Sequence, residues 1–193
     1  QKYGATAKEG SKMNVSDFTG VISSKGLASS NKFEVDITFP GGLSIKDLNL
    51  MCDSATIAGK TIQSTPEINY GVRREVAYNA PTLSDLTLSF YCTEKLEEKK
   101  KLDQWQNLMV NTINNNTKDE VGTYDVGYYD SYAKDTKIIV TKLSVSGKPT
   151  YKYEYRNVFP KIIGAIDLSH GVSSGPLKVT AQFAYAYSLE KKI

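Results

Sequence analysis

Alternation of apolar and polar residues is the feature that most constrains this chain. Between residues 32 and 39, Phe33, Val35 and Ile37 alternate with charged or hydroxyl side chains. Successive side chains of a β-strand point to opposite faces, so this pattern predicts a strand with one apolar face. Comparable segments recur between turn residues. The sequence predicts strands at Lys32–Phe39, Leu48–Asp53, Leu83–Cys92, Ile138–Ser146, Tyr151–Phe159, Ile162–Ser169 and Leu177–Leu189.

Only one segment has a helical period. Leu102, Trp105 and Leu108 recur at three-residue steps within Thr93–Thr112, which predicts a helix that Thr93 caps at its N-terminus. The expected fold is therefore mainly β, an antiparallel sandwich or barrel of about seven or eight strands with one flanking helix at about 93–112. The first two strands are expected to form a hairpin, and the last strand to be the longest. The candidate core residues are Phe33, Val35, Ile37, Leu88, Phe90, Trp105, Phe159 and Phe183.

The remaining segments are polar. Residues 1–31 carry few large apolar groups and are expected to form an arm that is flexible or ordered by a partner. Residues 54–81 are predicted to form an extended segment with one or two strands, and residues 114–135 a long loop. We therefore expect an N-terminal arm, 1–31, and a single β domain, 32–190, since a chain of 193 residues suits one core.

The sequence carries no arrangement of residues that indicates catalysis. The only histidine, His170, lies beside Gly171 in a predicted turn, without a GxSxG setting. Cys52 and Cys92 form no CxxC pair and are expected to be buried thiols. The acidic residues of 119–135 lack the close spacing of a calcium loop. We expect no enzyme activity, no cofactor and no metal site.

Charge and hydropathy limit the partners. The net charge is +3, and acidic and basic residues are mixed, whereas tight DNA-binding proteins usually carry a stronger basic bias. No window offers about 18 uninterrupted apolar residues, so no membrane helix is expected. Tyr151, Tyr153 and Tyr155 share one strand face, which leaves open a β-sandwich that binds carbohydrate or stacks RNA bases. A hydrolase that uses His170 is the weakest alternative.

Several segments, in this order, resemble the tail tube proteins of contractile phages. The strand before the helix carries Leu-Thr-Leu-Ser-Phe, and one extra residue separates Asp103 from Trp105 relative to the family's Asp-Trp-Gln helix. Ala58 stands where the family often has proline or another small residue. The segments that carry the resemblance are Asn31–Ile37, Cys52–Gly59, Leu86–Phe90, Asp103–Gln106 and Asn157–Gly164.

The resemblance implies an assembly subunit. Members of this family form hexameric rings that stack into a hollow tube inside a contractile sheath, through which DNA passes without specific binding. Expected partners are other copies of the chain, the tail sheath protein, and baseplate and tail terminator proteins, in a virion assembled in the bacterial cytoplasm. A tube-initiator, or the tube of a related injection or type VI secretion system, remains an alternative. The candidate inter-subunit residues are Ile57, Ile62, Ile68, Tyr70, Val72, Arg73, Arg74 and Phe18.

Overall fold

A computed structural model of the protein describes residues 15–42, 49, 51–67, 71, 73–79, 81–111, 125–168, 170–171 and 175–192. The chain divides into two units, Gln1–Asn31 and Lys32–Ile193. The helices are α1 (Val15–Lys25), α2 (Glu97–Met109) and α3 (Tyr129–Tyr132). The strands are β1 (Phe33–Thr38), β2 (Cys52–Thr56), β3 (Lys60–Thr61), β4 (Ser64–Glu67), β5 (Arg74–Ala77), β6 (Thr82–Leu83), β7 (Leu86–Tyr91), β8 (Val110–Asn111), β9 (Asp125–Val126), β10 (Lys137–Leu143), β11 (Pro149–Arg156), β12 (Phe159–Ile163), β13 (Lys178–Ala184) and β14 (Tyr187–Lys191).

The second unit contains two antiparallel four-stranded sheets. The first sheet has the order β1-β10-β11-β14, and the second has the order β12-β13-β7-β2. Their facing surfaces enclose the core, and the predicted mainly β, antiparallel class is confirmed. No helix in the described ranges is long and apolar enough to cross a membrane.

Trp105 links helix α2 to the core. Its side chain is fully buried, with ring centroids 5.0 Å from Phe39 and 6.0 Å from Phe183. The indole Nε1 donates a hydrogen bond of 2.9 Å to the backbone oxygen of Tyr132, which satisfies the one polar atom of the ring. Among the candidate core residues, Phe33 and Phe159 are half-buried. The others, Val35, Ile37, Leu88, Phe90, Trp105 and Phe183, are buried.

Strand pairing differs from the sequence prediction in two places. The expected hairpin of the first two strands is wrong, because β1 pairs with β10 and β2 pairs with β7. The β1 pairing places Val35 opposite Val140 and Ile37 opposite Ile138, which joins two apolar faces. The predicted long strand at Leu177–Leu189 is also wrong, since it is divided into β13 and β14, which belong to different sheets.

Element boundaries differ too. Helix α2 begins at Glu97, because Leu96 has a left-handed backbone with φ of 52°. The hydroxyl of the predicted cap, Thr93, accepts a hydrogen bond of 3.5 Å from the Glu97 N–H. Thr93 also donates from its backbone N–H and its hydroxyl to the Glu98 carboxylate, at 2.9 and 3.0 Å. The predicted strand Ile162–Ser169 ends at Ile163. The next residue, Gly164, lies close to β13, because a Cβ atom there would be 3.0 Å from the Thr180 backbone oxygen.

Two segments predicted to lack regular structure contain helices. Helix α1 lies in the predicted N-terminal arm and is followed by Gly26, whose φ of 71° suits a helix end. Helix α3 and strand β9 lie in the predicted loop, of which residues 112–124 are outside the described part.

Candidate assembly surface

Within the described residues, a two-stranded ribbon extends β2 and β7 beyond the second sheet. We call its described residues, 57–67, 71, 73–79 and 81–85, the arm. The short strands β3 and β6 pair at its base, and β4 and β5 pair farther out, with Glu67 opposite Arg74. Within the described residues, the predicted extended segment at 54–81 therefore contains two antiparallel strand pairs, β3 with β6 and β4 with β5.

The arm leaves large apolar side chains exposed. Ile57 is 46% exposed, Ile62 60%, Val76 39% and Tyr78 62%. Every described residue of β4 and β5 except Glu67 is exposed, so neither face of this ribbon is covered by the described part of the chain. An isolated two-stranded ribbon is marginally stable in water. Contact with another molecule would therefore stabilise the arm and bury its apolar groups.

The base of the arm is fixed to the domain by a buried phenol. The Tyr155 hydroxyl accepts a hydrogen bond of 3.1 Å from the backbone N–H of Ala58. Tyr155 is fully buried, and this burial raises the pKa of its phenol to about 12. Farther along the base, the backbone N–H of Ser84 donates to the oxygen of Gly59 at 3.1 Å. The root of the arm is thus held in one position.

The outer part of the arm is held by exposed polar contacts. The Arg74 guanidinium lies 2.8 Å from the Glu67 carboxylate, and the Ser64 hydroxyl donates to Glu75 at 2.9 Å. Exposed ion pairs of this kind contribute about 0 to 1 kcal/mol. The outer arm therefore depends mainly on its backbone ladder.

The predicted inter-subunit residues are distributed as follows. Ile57 and Ile62 lie on the arm with exposed side chains, as do Arg73 and Arg74. Ile68, Tyr70 and Val72 lie outside the described residues. Phe18 lies in α1 of the N-terminal unit, and its side chain is outside the described part. That these residues contact another subunit stays a prediction.

The sequence prediction did not include Val76 and Tyr78 among the contact residues. Val76 is opposite Thr65 in the β4–β5 ladder, and the backbone N–H of Tyr78 donates to the Gln63 oxygen at 3.2 Å. The signal that could have identified Val76 is the run Arg74–Ala77, in which an apolar β-branched residue follows two charged ones.

Edge strands differ in how they are protected. The outer edge of β12 carries Pro160, and the Gln106 side chain of α2 donates to the Pro160 oxygen at 3.2 Å. At β1, the Asn49 side chain accepts a hydrogen bond of 3.2 Å from the Ile37 N–H. Within the described part of the chain, no further strand pairs with the outer edge of β2 or of β14. Such open edges can pair with another chain.

The outer face of the first sheet holds a buried carboxylate. Glu154 is 1% exposed, and its oxygens contact the Arg156 guanidinium, at 2.7 Å, and the Lys191 ammonium. The hydrogen bond from Lys191, opposed by burial and assisted by Arg156, lowers the pKa of the Glu154 carboxyl. Because Lys191 belongs to β14 and Glu154 to β11, this cluster fixes the edge strand to its neighbour.

The tyrosines proposed for base or sugar stacking lie on the core-facing side of β11. Tyr153 and Tyr155 are opposite Val140 and Ile138, and their ring centroids are 5.1 Å apart. Tyr155 also contacts Tyr185 at 4.8 Å. Because these rings pack against one another towards the core, the structure does not support the stacking alternative. His170 is exposed in a turn, and the described residues include no group of three potential metal ligands.

Comparison with known proteins agrees with this architecture. A sequence profile described as phage tail tube protein matches residues 28–190. A chain of the sheath–tube complex of an extracellular contractile injection system, PVC, superposes with a TM-score of 0.58 at 13% identity, covering 91% of this chain and 98% of that one. No curated protein sequence matches.

Two further solved structures have similar folds. A chain of the baseplate of the anti-feeding prophage gives a TM-score of 0.57 at 13% identity, covering 86% of this chain and 95% of that one. A chain of the sheath/tube terminator of PVC gives 0.57 at 12% identity, covering 86% and 97%. At these identities the likeness establishes the fold alone.

Proposed function

This chain belongs to the phage tail tube protein family, and we propose that its copies close into hexameric rings that stack as the hollow inner tube of a tail. As a member of the family it is a structural tail tube subunit. The observation that carries the proposal is the arm, whose outer ladder is exposed on both faces in the described chain. A neighbouring copy in the same or the next ring would cover it.

The sheet architecture supports ring closure. Each main sheet has four antiparallel strands, so its two edge strands run in opposite directions. A copy related by rotation then continues the alternation without a break. With strands spaced about 4.8 Å, six four-stranded sheets give a perimeter of about 115 Å and a backbone diameter of about 37 Å. A DNA duplex fits through a barrel of that width.

The partners follow from the place of such a tube in a tail. Solved structures of similar fold come from a sheath–tube complex, a baseplate and a sheath/tube terminator. We propose that this chain likewise contacts a tail sheath protein, baseplate proteins and a tail terminator, and that it assembles in the bacterial cytoplasm. Genomic DNA passes through the lumen without specific binding, consistent with a net charge of only +3.

A second candidate is the tube, or tube-initiator, of a contractile injection system or type VI secretion system. The similar folds of chains from PVC and the anti-feeding prophage favour this alternative. Native particles distinguish the two. Tails attached to DNA-filled heads would identify a phage tube, whereas headless particles that contain this chain would identify an injection system.

Electron microscopy of the purified full chain over a range of concentrations tests the proposal. We expect six-fold rings that stack into tubes as the concentration rises. A chain that stays monomeric at the highest soluble concentration, with the same arm exposed, would refute the tube assignment. The double variant Ile62→Ser and Val76→Ser is expected to remain folded and to assemble poorly, which links assembly to the arm.

A further inference from the structure

On β2, β7 and β13 of the second sheet, the outward face is formed by uncharged polar side chains, whereas β12 places Ile162 there, opposite Gln182 and 46% exposed. Ser89 of β7 lies between Ser54 of β2 and Thr180 of β13. One step along the same strands, Thr87 lies opposite both Thr56 and Gln182. The Thr180 hydroxyl reaches the Ser89 hydroxyl at 3.5 Å. We call Ser54, Thr56, Thr87, Ser89, Thr180 and Gln182 the hydroxyl face.

The charges at the margins of the hydroxyl face are paired. The Lys178 ammonium lies 2.8 Å from the Asp53 carboxylate and 4.8 Å from the centre of the Tyr91 ring. At the other end, Lys161 lies 2.9 Å from Asp85. Lys178 and Lys161, at the two margins of the hydroxyl face, are thus each paired with a carboxylate, and the six residues of the face itself are uncharged.

The outward face of the first sheet is different. The strand pairings place four cationic and three anionic side chains on it, and the buried Glu154 is one of the anionic ones. Tyr187 and Leu189 of the edge strand are exposed there, at 42% and 44%. Tyrosine and arginine are enriched at protein interfaces, so this face suits contact with another protein. The charged residues are Glu34, Asp36, Lys137, Lys152, Glu154, Arg156 and Lys191.

We infer that the hydroxyl face of the second sheet lines the lumen of the tube and that the charged face of the first sheet points outward. The inference rests on the proposed function. A polyanion binds to unpaired lysines and arginines because phosphate contacts release counterions, so a conduit lined by them would retain DNA. A wall of hydroxyl groups with paired charges offers the passing duplex no such contact.

The arm supports the same orientation. It continues β2 and β7, which belong to the second sheet, so the lumen wall and the arm form one extended surface. The outer edge of β2, which is open in the described part of the chain, lies in the same sheet, and a strand of another copy can pair with it. The arm then projects from the wall towards a neighbouring copy.

Site-specific biotin labelling of assembled tubes tests the assignment. Thr180→Cys and Thr87→Cys place a thiol on the hydroxyl face, and Glu34→Cys places one on the charged face as the control. Tubes are treated with a small biotin maleimide and then with streptavidin, a folded protein that cannot reach sites inside the wall. Burial raises the pKa of both native thiols, to about 12 for Cys52, which lowers their reactivity with maleimide. Wild-type tubes therefore measure the background labelling.

The expected result is streptavidin along intact Glu34→Cys tubes, and on Thr180→Cys subunits only after the tubes are dissociated. Equal streptavidin binding to intact Thr180→Cys and Glu34→Cys tubes would overturn the lumen assignment while leaving the tube itself established. If Thr180→Cys alone fails to assemble, Thr87→Cys gives the same readout. Failure of the wild-type chain to form tubes would overturn the proposed function and this inference together.

Discussion

Replacement of Ile62 by serine separates assembly from folding. Ile62 is 60% exposed in the single chain. Full burial of an isoleucine side chain contributes about 1.5 to 3 kcal/mol, so burial of the exposed part against a neighbour contributes about 1 to 2 kcal/mol per subunit. Each 1.4 kcal/mol corresponds to about tenfold in an equilibrium constant. Ile62→Ser should therefore raise the critical concentration for tube formation about 5- to 30-fold.

The folding of the monomer should hardly change. Substitutions at exposed sites usually alter the free energy of unfolding by no more than about 0.5 kcal/mol. The critical concentration is measured by pelleting tubes across a protein dilution series, and the stability of the monomer by urea unfolding below that concentration. Val145→Ser is the matched control, because Val145 is 74% exposed in the turn between β10 and β11, away from the arm.

Two results would refute the reasoning. Equal critical concentrations for Ile62→Ser and the wild-type chain would mean that the arm is not buried on assembly. Equal increases for Ile62→Ser and Val145→Ser would mean that general surface hydrophobicity, rather than the arm, drives association.

Three further predictions concern contacts at the base of the arm, at the β14 edge and beside helix α2. Tyr155→Phe should lower the free energy of unfolding by about 1 kcal/mol. It should also remove the loss of stability expected between pH 10 and about 12, where the Tyr155 phenol ionises. Circular dichroism against pH measures both, and an unchanged alkaline profile would contradict the prediction. Lys191→Ala should shift acid unfolding to higher pH. The lowered pKa of Glu154 stabilises the fold above the carboxyl's ordinary pKa, and this contribution is lost as pH falls. An unshifted pH midpoint of acid unfolding would count against the cluster. Gly127→Ala should cost about 1 to 3 kcal/mol, because a Cβ would lie 2.4 Å from the Leu108 oxygen; a melting temperature equal to wild type would contradict it.

Local patterns predicted the elements better than their arrangement. The alternation around Val35 and the strand Leu86–Tyr91 were visible because one face of each strand is apolar and buried. Alternation continues unchanged through Tyr185, where the chain passes from β13 to β14 and from one sheet to the other. A period of two residues does not reveal such a change of sheet, because side chains alternate on both sides of it.

The exposed apolar residues of the arm were identified in part, and their contact with another subunit stays a prediction. Ile57 and Ile62 stood out because isolated apolar residues in a polar segment lack a local core to join. Val76 and Tyr78 were missed because their exposure depends on the pairing of β4 with β5, which brings together residues about ten positions apart in the chain. The ion cluster at Glu154 depends on β14 lying beside β11, and no local sequence pattern encodes that contact.

Cryo-electron microscopy of the assembled protein tests the central claim most directly. The map should contain rings of six copies, with the 57–85 ribbon of each subunit seated on another subunit so that Ile62 and Val76 are enclosed. A particle in which that ribbon lies free in solvent, or folds back over its own two sheets, would contradict the account.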